Sequence, residues 1–224
     1  MQVGSLGIGA AVLATVAVVA AWPAALRAAD LDVFVGAARD AAVPDAVIAL
    51  RPHDASLSPP AAAPATKTID QKNETFLPYV EVFRPGDSVV FRNSDQTRHH
   101  VYSFAPARQF EFVLTPGQSS APLHLESTGA IAVGCNIHDH MITYLYVSDA
   151  PWTARSGADG HARVATLPPG DYDVSVWHPQ LRPGQAPPTQ TLHVDAANAA
   201  ATLRFALALL PDLRRGPDRE RVDY

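Results

Sequence analysis

The sequence is poor in cysteine: Cys135 is the only one among 224 residues. A disulfide within the chain is therefore impossible. A single thiol in an oxidising compartment is at risk of oxidation unless it is buried or bound to a metal. Cys135 is for this reason the most informative residue of the sequence.

Excess basic charge, the common enzyme motifs and helical periodicity are also missing. The formal net charge is −5, which disfavours nucleic acid or an anionic membrane surface as a partner. The sequence contains no P-loop, no G-x-S-x-G and no H-E-x-x-H motif, so we do not expect an enzyme. No internal repeat is visible. The 20 prolines favour short strands joined by turns over a helix bundle.

The first 29 residues resemble a secretory signal. The run 6–21 is apolar, and no charged residue precedes Arg27. The alternative is an uncleaved membrane anchor, although the run is short for a complete span. In both cases we expect the body of the protein outside the cytoplasm, in the periplasm. We expect no membrane span in the mature chain.

The rest of the chain shows the patterns of strands and turns. Residues 30–53 predict a strand pair, and the Pro/Ala-rich residues 54–67 predict a linker. Residues 68–149 contain eight candidate strands separated by turn sequences such as RPGDS and TPGQSS, a pattern typical of a Greek-key β-sandwich. Residues 150–208 predict further strands, and residues 209–224 a charged, disordered tail. The predicted fold class is all-β, with two sandwiches.

One short segment, GCNIHDHM, places Cys135, His138 and Met141 within seven residues. A thiolate, an imidazole and a thioether are the soft ligands that copper prefers. A type 1 (blue) copper site needs two histidines and one cysteine in a plane, with a weak axial methionine. The second histidine must then come from elsewhere, and the upstream segment TRHHVYSF offers His99 and His100.

These motifs resemble the cupredoxins, the blue copper family that includes plastocyanin and amicyanin. The spacing Cys-x2-His-x2-Met is similar to that of amicyanin-like loops, and VVFRNSDQTRHHV resembles the upstream half of the family pattern. The resemblance extends from about residue 76 to residue 147. The combination of IDQKN, RHHVYSF and GCNIHDHM also looks like bacterial methylamine utilization proteins.

The resemblance implies one type 1 copper ion bound by His99, Cys135, His138 and Met141. It also implies one-electron exchange with a protein redox partner, either a cytochrome or a dehydrogenase, through an exposed edge of His138. The spacing from Phe91 to the histidine pair favours His99 as the ligand. We expect a monomer.

Two positions depart from the family pattern. His100 stands where the family usually has Asn, and His140 precedes Met141, where close relatives often have Trp. Strand alternation also places His100 on the face of Tyr102 and Phe104, which leaves His100 open as an alternative ligand. The extra imidazoles favour a second hypothesis, copper binding and delivery without redox turnover.

The segment ADGHARVATLPPGDYDVSVWHP resembles the carboxypeptidase regulatory-like, or prealbumin-like, β-sandwich, and residues 38–50 look like the opening strands of that fold. This suggests that residues 31–52 pair with residues 150–207, so that the cupredoxin-like part is inserted between them. The rival hypothesis is that the N-terminal strands extend the cupredoxin-like sheet. The expected role of this second sandwich is support or docking.

Overall fold

The computed structural model describes residues 28–195, 197–198 and 200–215. The predicted signal segment up to residue 27 and the tail from residue 216 lie outside the described residues. The described chain consists of strands and turns, with three 3-10 turns of three residues each. The all-β prediction is therefore confirmed.

The strands of the described residues are, in chain order, β1 (Ala29–Gly36), β2 (Val47–Pro52), β3 (Thr66–Gln71), β4 (Phe76–Leu77), β5 (Val80–Phe83), β6 (Ser88–Asn93), β7 (His99–Ala105), β8 (Arg108–Leu114), β9 (Leu123–His124), β10 (Gly129–Cys135), β11 (Ile142–Val147), β12 (Trp152–Arg155), β13 (His161–Leu167), β14 (Gly170–Trp177), β15 (Thr189–Val194) and β16 (Ala200–Ala206).

Strands β3 to β11 form two sheets that we call the site sandwich. One sheet has the order β4-β3-β6-β9 and the other the order β5-β11-β10-β7-β8. Alternation along the strands supplies the shared core: Ile131, Val133 and Cys135 of β10 point inward, and they pack with Phe91 of β6 and Val101 of β7. Burial of these apolar faces holds the two sheets together.

The remaining strands form a second pair of sheets, the flanking sandwich. β1 lies between β13 and β16, and β2 lies between β12 and β14, with β15 at the edge. Its core includes Tyr172, Val174 and Val176, the inward face of β14, each fully buried. The N-terminal strands thus pair with the C-terminal ones, which is the pairing that the insertion hypothesis requires. The domain boundaries themselves stay predictions.

Three local features bear on the predicted boundaries. β3 spans Thr66–Gln71, as the candidate strand TKTIDQ predicts, and so includes the last two residues assigned to the linker; Ala29, assigned to the signal, is a buried residue of β1. Arg214 of the predicted tail packs its guanidinium 3.4 Å from the ring centroid of Tyr79. Cation–π contact with this buried tyrosine helps to order this end of the described chain. Among the described residues, no helix has the length and apolar character that a membrane crossing requires.

The two sandwiches meet through an aromatic contact. The outer face of β11 presents Tyr144 and Tyr146 to Trp177, which ends β14 of the flanking sandwich. Trp177 stacks on Tyr146 with ring centroids 4.5 Å apart and meets Tyr144 edge-on at 6.0 Å. The flanking sandwich therefore covers the outer face of β11, the strand that directly follows the segment of the predicted ligands.

Candidate metal centre

Neighbouring ends of two antiparallel strands bring the first two candidate ligands together. β7 begins with His99 and β10 ends with Cys135, and the ladder pairs Cys135 with Val101. Because β7 and β10 run in opposite directions, the start of one strand lies beside the end of the other. His99 is fully buried and Cys135 is 3% exposed. Both side chains therefore point into the sandwich.

The third ligand comes from the loop that joins β10 to β11. This loop is closed by backbone hydrogen bonds, from Cys135 N–H to the Met141 carbonyl (3.2 Å) and from Met141 N–H to the His138 carbonyl (3.0 Å). Because the loop is closed in this way, the His138 ring lies close to Cys135. Met141 is 2% exposed and belongs to the same core cluster as Cys135.

The three side chains form a compact donor group. Sγ of Cys135 lies 3.8 Å from Nδ1 of His99 and 4.0 Å from Nδ1 of His138. All three ligand atoms lie within 4.8 Å of one another, and no other such group of His, Cys, Asp or Glu occurs in the described part of the chain. The structure therefore gathers three of the four predicted ligands around one point. Met141 lies beside them in the core.

The competing histidines are held elsewhere. His100 points to the outer face of β7, where its Nε2 lies 2.8 Å from Oε1 of Glu111. His140 has its Nε2 2.9 Å from the carbonyl oxygen of Glu74. Strand alternation thus puts His99 on the core face and His100 outside, the reverse of the face that the Tyr102 and Phe104 pattern suggested.

Two carboxylates that the sequence analysis missed lie next to the candidate ligands His99 and His138. Oδ2 of Asp95 lies 2.9 Å from Nε2 of His99, and Oε1 of Glu74 lies 3.7 Å from Nε2 of His138. The hydrogen bond with Asp95 favours a proton on Nε2 of His99, which would leave Nδ1 free to bind a metal. The spacing of four residues between Asp95 and His99 was the one signal in the sequence. Glu74 lies too far along the chain to be recognised.

The electrostatics of the group favour a metal-binding thiolate. Burial acts to raise the pKa of the Cys135 thiol, but the hydrogen bond to His99 and the backbone amides of Ile137, His138 and His100 lower it to about 6. Burial also opposes the charged form of His99, yet its contacts with Cys135 and Asp95 raise its pKa. The group therefore favours the deprotonated sulfur that a metal needs.

This donor set fits copper. Two imidazole nitrogens and one thiolate converge, a thioether side chain lies in the adjoining core, and no carboxylate belongs to the described donor group. A hard cation such as Ca²⁺ or Mg²⁺ would take oxygen ligands, whereas nitrogen, thiolate and thioether suit copper.

Comparison with known proteins gives structural similarities over part of the chain. The chain matches no protein-family model and no curated protein sequence. Among solved structures it is similar to amicyanin from Paracoccus versutus, with 18% identity over 44% of this chain and 97% of that one, at a TM-score of 0.33. It is also similar to a purple cupredoxin from Nitrosopumilus maritimus, with 18% identity over 36% of this chain and 98% of that one, at a TM-score of 0.32.

A third structure is larger than this chain. It is a copper-containing nitrite reductase from Thermus scotoductus, with 21% identity over 44% of this chain and 25% of that chain, at a TM-score of 0.33. These similarities cover less than half of the present chain.

Proposed function

We propose that this protein is a type 1 copper protein that carries single electrons. The observation that supports the proposal best is the buried group of His99, Cys135 and His138, whose three ligand atoms lie within 4.8 Å of one another. Bound copper would supply a couple between the cuprous and cupric states. The protein residues supply the thiolate, the two imidazoles and, with Met141, a weak axial sulfur.

The surroundings of the site favour electron transfer over catalysis. The candidate ligands are held by a buried strand, a closed loop and carboxylates, so they need little rearrangement when the charge of the site changes. With Met141 as the axial ligand, protein atoms fill the four positions, and no open position is left for a substrate. For these reasons we propose a carrier and not an enzyme.

The proposed setting is the periplasm, with a protein redox partner. Export is supported by the apolar N-terminal run in the sequence. His138 is the candidate ligand nearest to solvent, yet its side chain is 12% exposed and Glu74 stands against it. The proposed contact surface for the partner is therefore the rim formed by His138 and Glu74.

The decisive experiment is spectroscopy of the purified protein after addition of cupric ion. A type 1 site gives one intense visible absorption band from the copper–thiolate bond and a narrow hyperfine splitting in paramagnetic resonance. We expect both features at one copper per chain. The Cys135→Ala variant should lose them, whereas the His100→Ala variant should keep them, since His100 faces Glu111.

Other outcomes separate the rival functions. Stoichiometric binding of cuprous ion, without a stable coloured cupric form, would replace electron transfer with copper delivery. Failure to bind copper in either state would refute both copper functions.

A further inference from the structure

We propose that the turn of residues 72–75 is a clamp that holds His138 in its metal-binding orientation, and that Asp95 anchors this clamp together with His99. Asp95 would then hold His99 directly and His138 indirectly, through Glu74. This inference rests on the proposed copper site.

The clamp joins β3 to β4. Asp70 pairs with Leu77 and Gln71 with Phe76, and the Lys72 N–H donates to the Thr75 carbonyl at 3.0 Å. The turn therefore has two central residues. Both have positive φ, 53° at each of them, as in the tight turns that connect hairpin strands.

The second central position carries an unexpected residue. Turns with positive φ at both central residues favour Asn-Gly, because glycine adopts this conformation without strain. Here the pair is Asn73-Glu74. Asparagine fits the preference, but glutamate has a side chain that disfavours the left-handed region. Residues in such strained conformations are concentrated at functional sites. We therefore expect the contacts of the Glu74 side chain to show why a glutamate occupies this position.

The contacts of Glu74 supply the explanation. Its carboxylate Oε1 lies 3.7 Å from Nε2 of His138, and its carbonyl oxygen lies 2.9 Å from Nε2 of His140. One residue thus contacts two histidines of the loop that joins β10 to β11. These contacts restrain the side of the loop that faces away from Cys135.

Asp95 connects the clamp to the other histidine. Its Oδ1 accepts the Asn73 N–H at 2.5 Å, and its Oδ2 accepts the Glu74 N–H at 3.0 Å. The same Oδ2 lies 2.9 Å from Nε2 of His99. Asp95 itself is fixed, because its own N–H donates to Oδ1 of Asn93 at 2.9 Å. Loss of this carboxylate would release His99 and the clamp together.

The first test compares two glycine variants of the same turn. Glu74→Gly and Asn73→Gly both relieve positive φ and keep the backbone amides that Asp95 binds. We expect Glu74→Gly to raise the thermal midpoint of the metal-free protein by about 2–4 °C, and yet to weaken copper binding by about tenfold. Asn73→Gly should leave copper affinity and the copper spectrum unchanged. Equal effects on copper in both variants would overturn the clamp, since turn geometry and not the carboxylate would then matter.

The second test uses metal-free protein, so that failure of the clamp and failure of the copper proposal remain distinguishable. In Asp95→Asn, we expect hydrogen exchange at the Asn73 and Glu74 amides to become at least about tenfold faster, because two acceptor contacts weaken. The ring resonances of His138 should shift in Glu74→Gly and not in Asn73→Gly. Unchanged exchange and an unchanged His138 ring would refute the clamp whether or not the protein binds copper.

Discussion

At the scale of single residues, Cys135 is the one cysteine of the sequence, and its surroundings favour the ionised thiolate. It is 3% exposed, and its sulfur lies within 4.0 Å of two imidazole nitrogens. Burial alone would make the thiol harder to ionise, whereas its hydrogen-bond partners make ionisation easier. The balance favours the thiolate, the form that the proposed metal site requires.

This balance predicts the titration of the metal-free protein. Because the pKa of Cys135 is lowered to about 6, the thiolate should form as the pH rises through about 6 and not near the usual value of about 8.5. Ultraviolet absorbance of the thiolate measures the midpoint. In His99→Gln, which removes the charged partner, the midpoint should move upward. A native midpoint above pH 8 would contradict this assignment.

The residues of the candidate site were predictable to different degrees. Cys135, His138 and Met141 share one segment, so their spacing alone indicated the metal. His99 was separable from His100 only through the family pattern, because the outward row of Tyr102 and Phe104 resembles a core face. The carboxylates of Asp95 and Glu74 were not predicted. Asp95 and His99 are separated by a turn, and Glu74 and His138 are distant in sequence.

At the scale of elements, most strands could be predicted from the alternation of apolar residues and from the turn sequences between the strands. All eight strands expected in the site sandwich occur, because each has either an alternating pattern or a continuous apolar run between turn residues. The strand β4 was missed: it has two residues and no pattern of its own. It exists because the 72–75 turn folds it back onto β3, so tertiary contacts and not local sequence define it.

The turn at Asp159-Gly160 offers a test of such turn chemistry. Gly160 has φ of 78°, and a Cβ there would lie 2.6 Å from the backbone oxygen of Val35. We expect Gly160→Ala to lower the free energy of unfolding by about 2–3 kcal/mol. Calorimetry or thermal circular dichroism would measure the loss.

Gly184→Ala is the matched control for this variant. Gly184 has φ of 76° but nothing within 4 Å of the added Cβ, so it should cost only the strain of the backbone, about 1 kcal/mol. Equal losses in the two variants would show that the close approach to Val35 is unimportant. The copper spectrum should not change in either variant, because both residues belong to the flanking part of the molecule.

At the scale of the whole molecule, the two ends of the described chain form the flanking sandwich, and the part between them forms the site sandwich. The N-terminal strand β1 pairs in parallel with the last strand, β16. This flanking sheet is therefore complete only after the whole chain between these two strands has been synthesised. The site sandwich has its own core cluster and the flanking sandwich has another. Their shared cluster is smaller: Val47, Tyr79 and Val80 are its buried residues, and the partly buried Trp177 packs against it with Tyr144 and Tyr146.

The smaller cluster determines whether the two sandwiches unfold together. Aromatic pairs, stacked or edge-on, contribute about 0.5–1.5 kcal/mol beyond the area they bury, and Trp177 makes one contact of each kind. We expect a single calorimetric transition for the native protein. In Trp177→Ala, the loss of about 3 kcal/mol of coupling should separate it into two. Trp177→Phe keeps one ring against Tyr146 and should keep one transition. If Trp177→Ala still unfolds in a single step at the native midpoint, the sandwiches are coupled through the buried residues of the shared cluster, Val47, Tyr79 and Val80, and not through the aromatic contact.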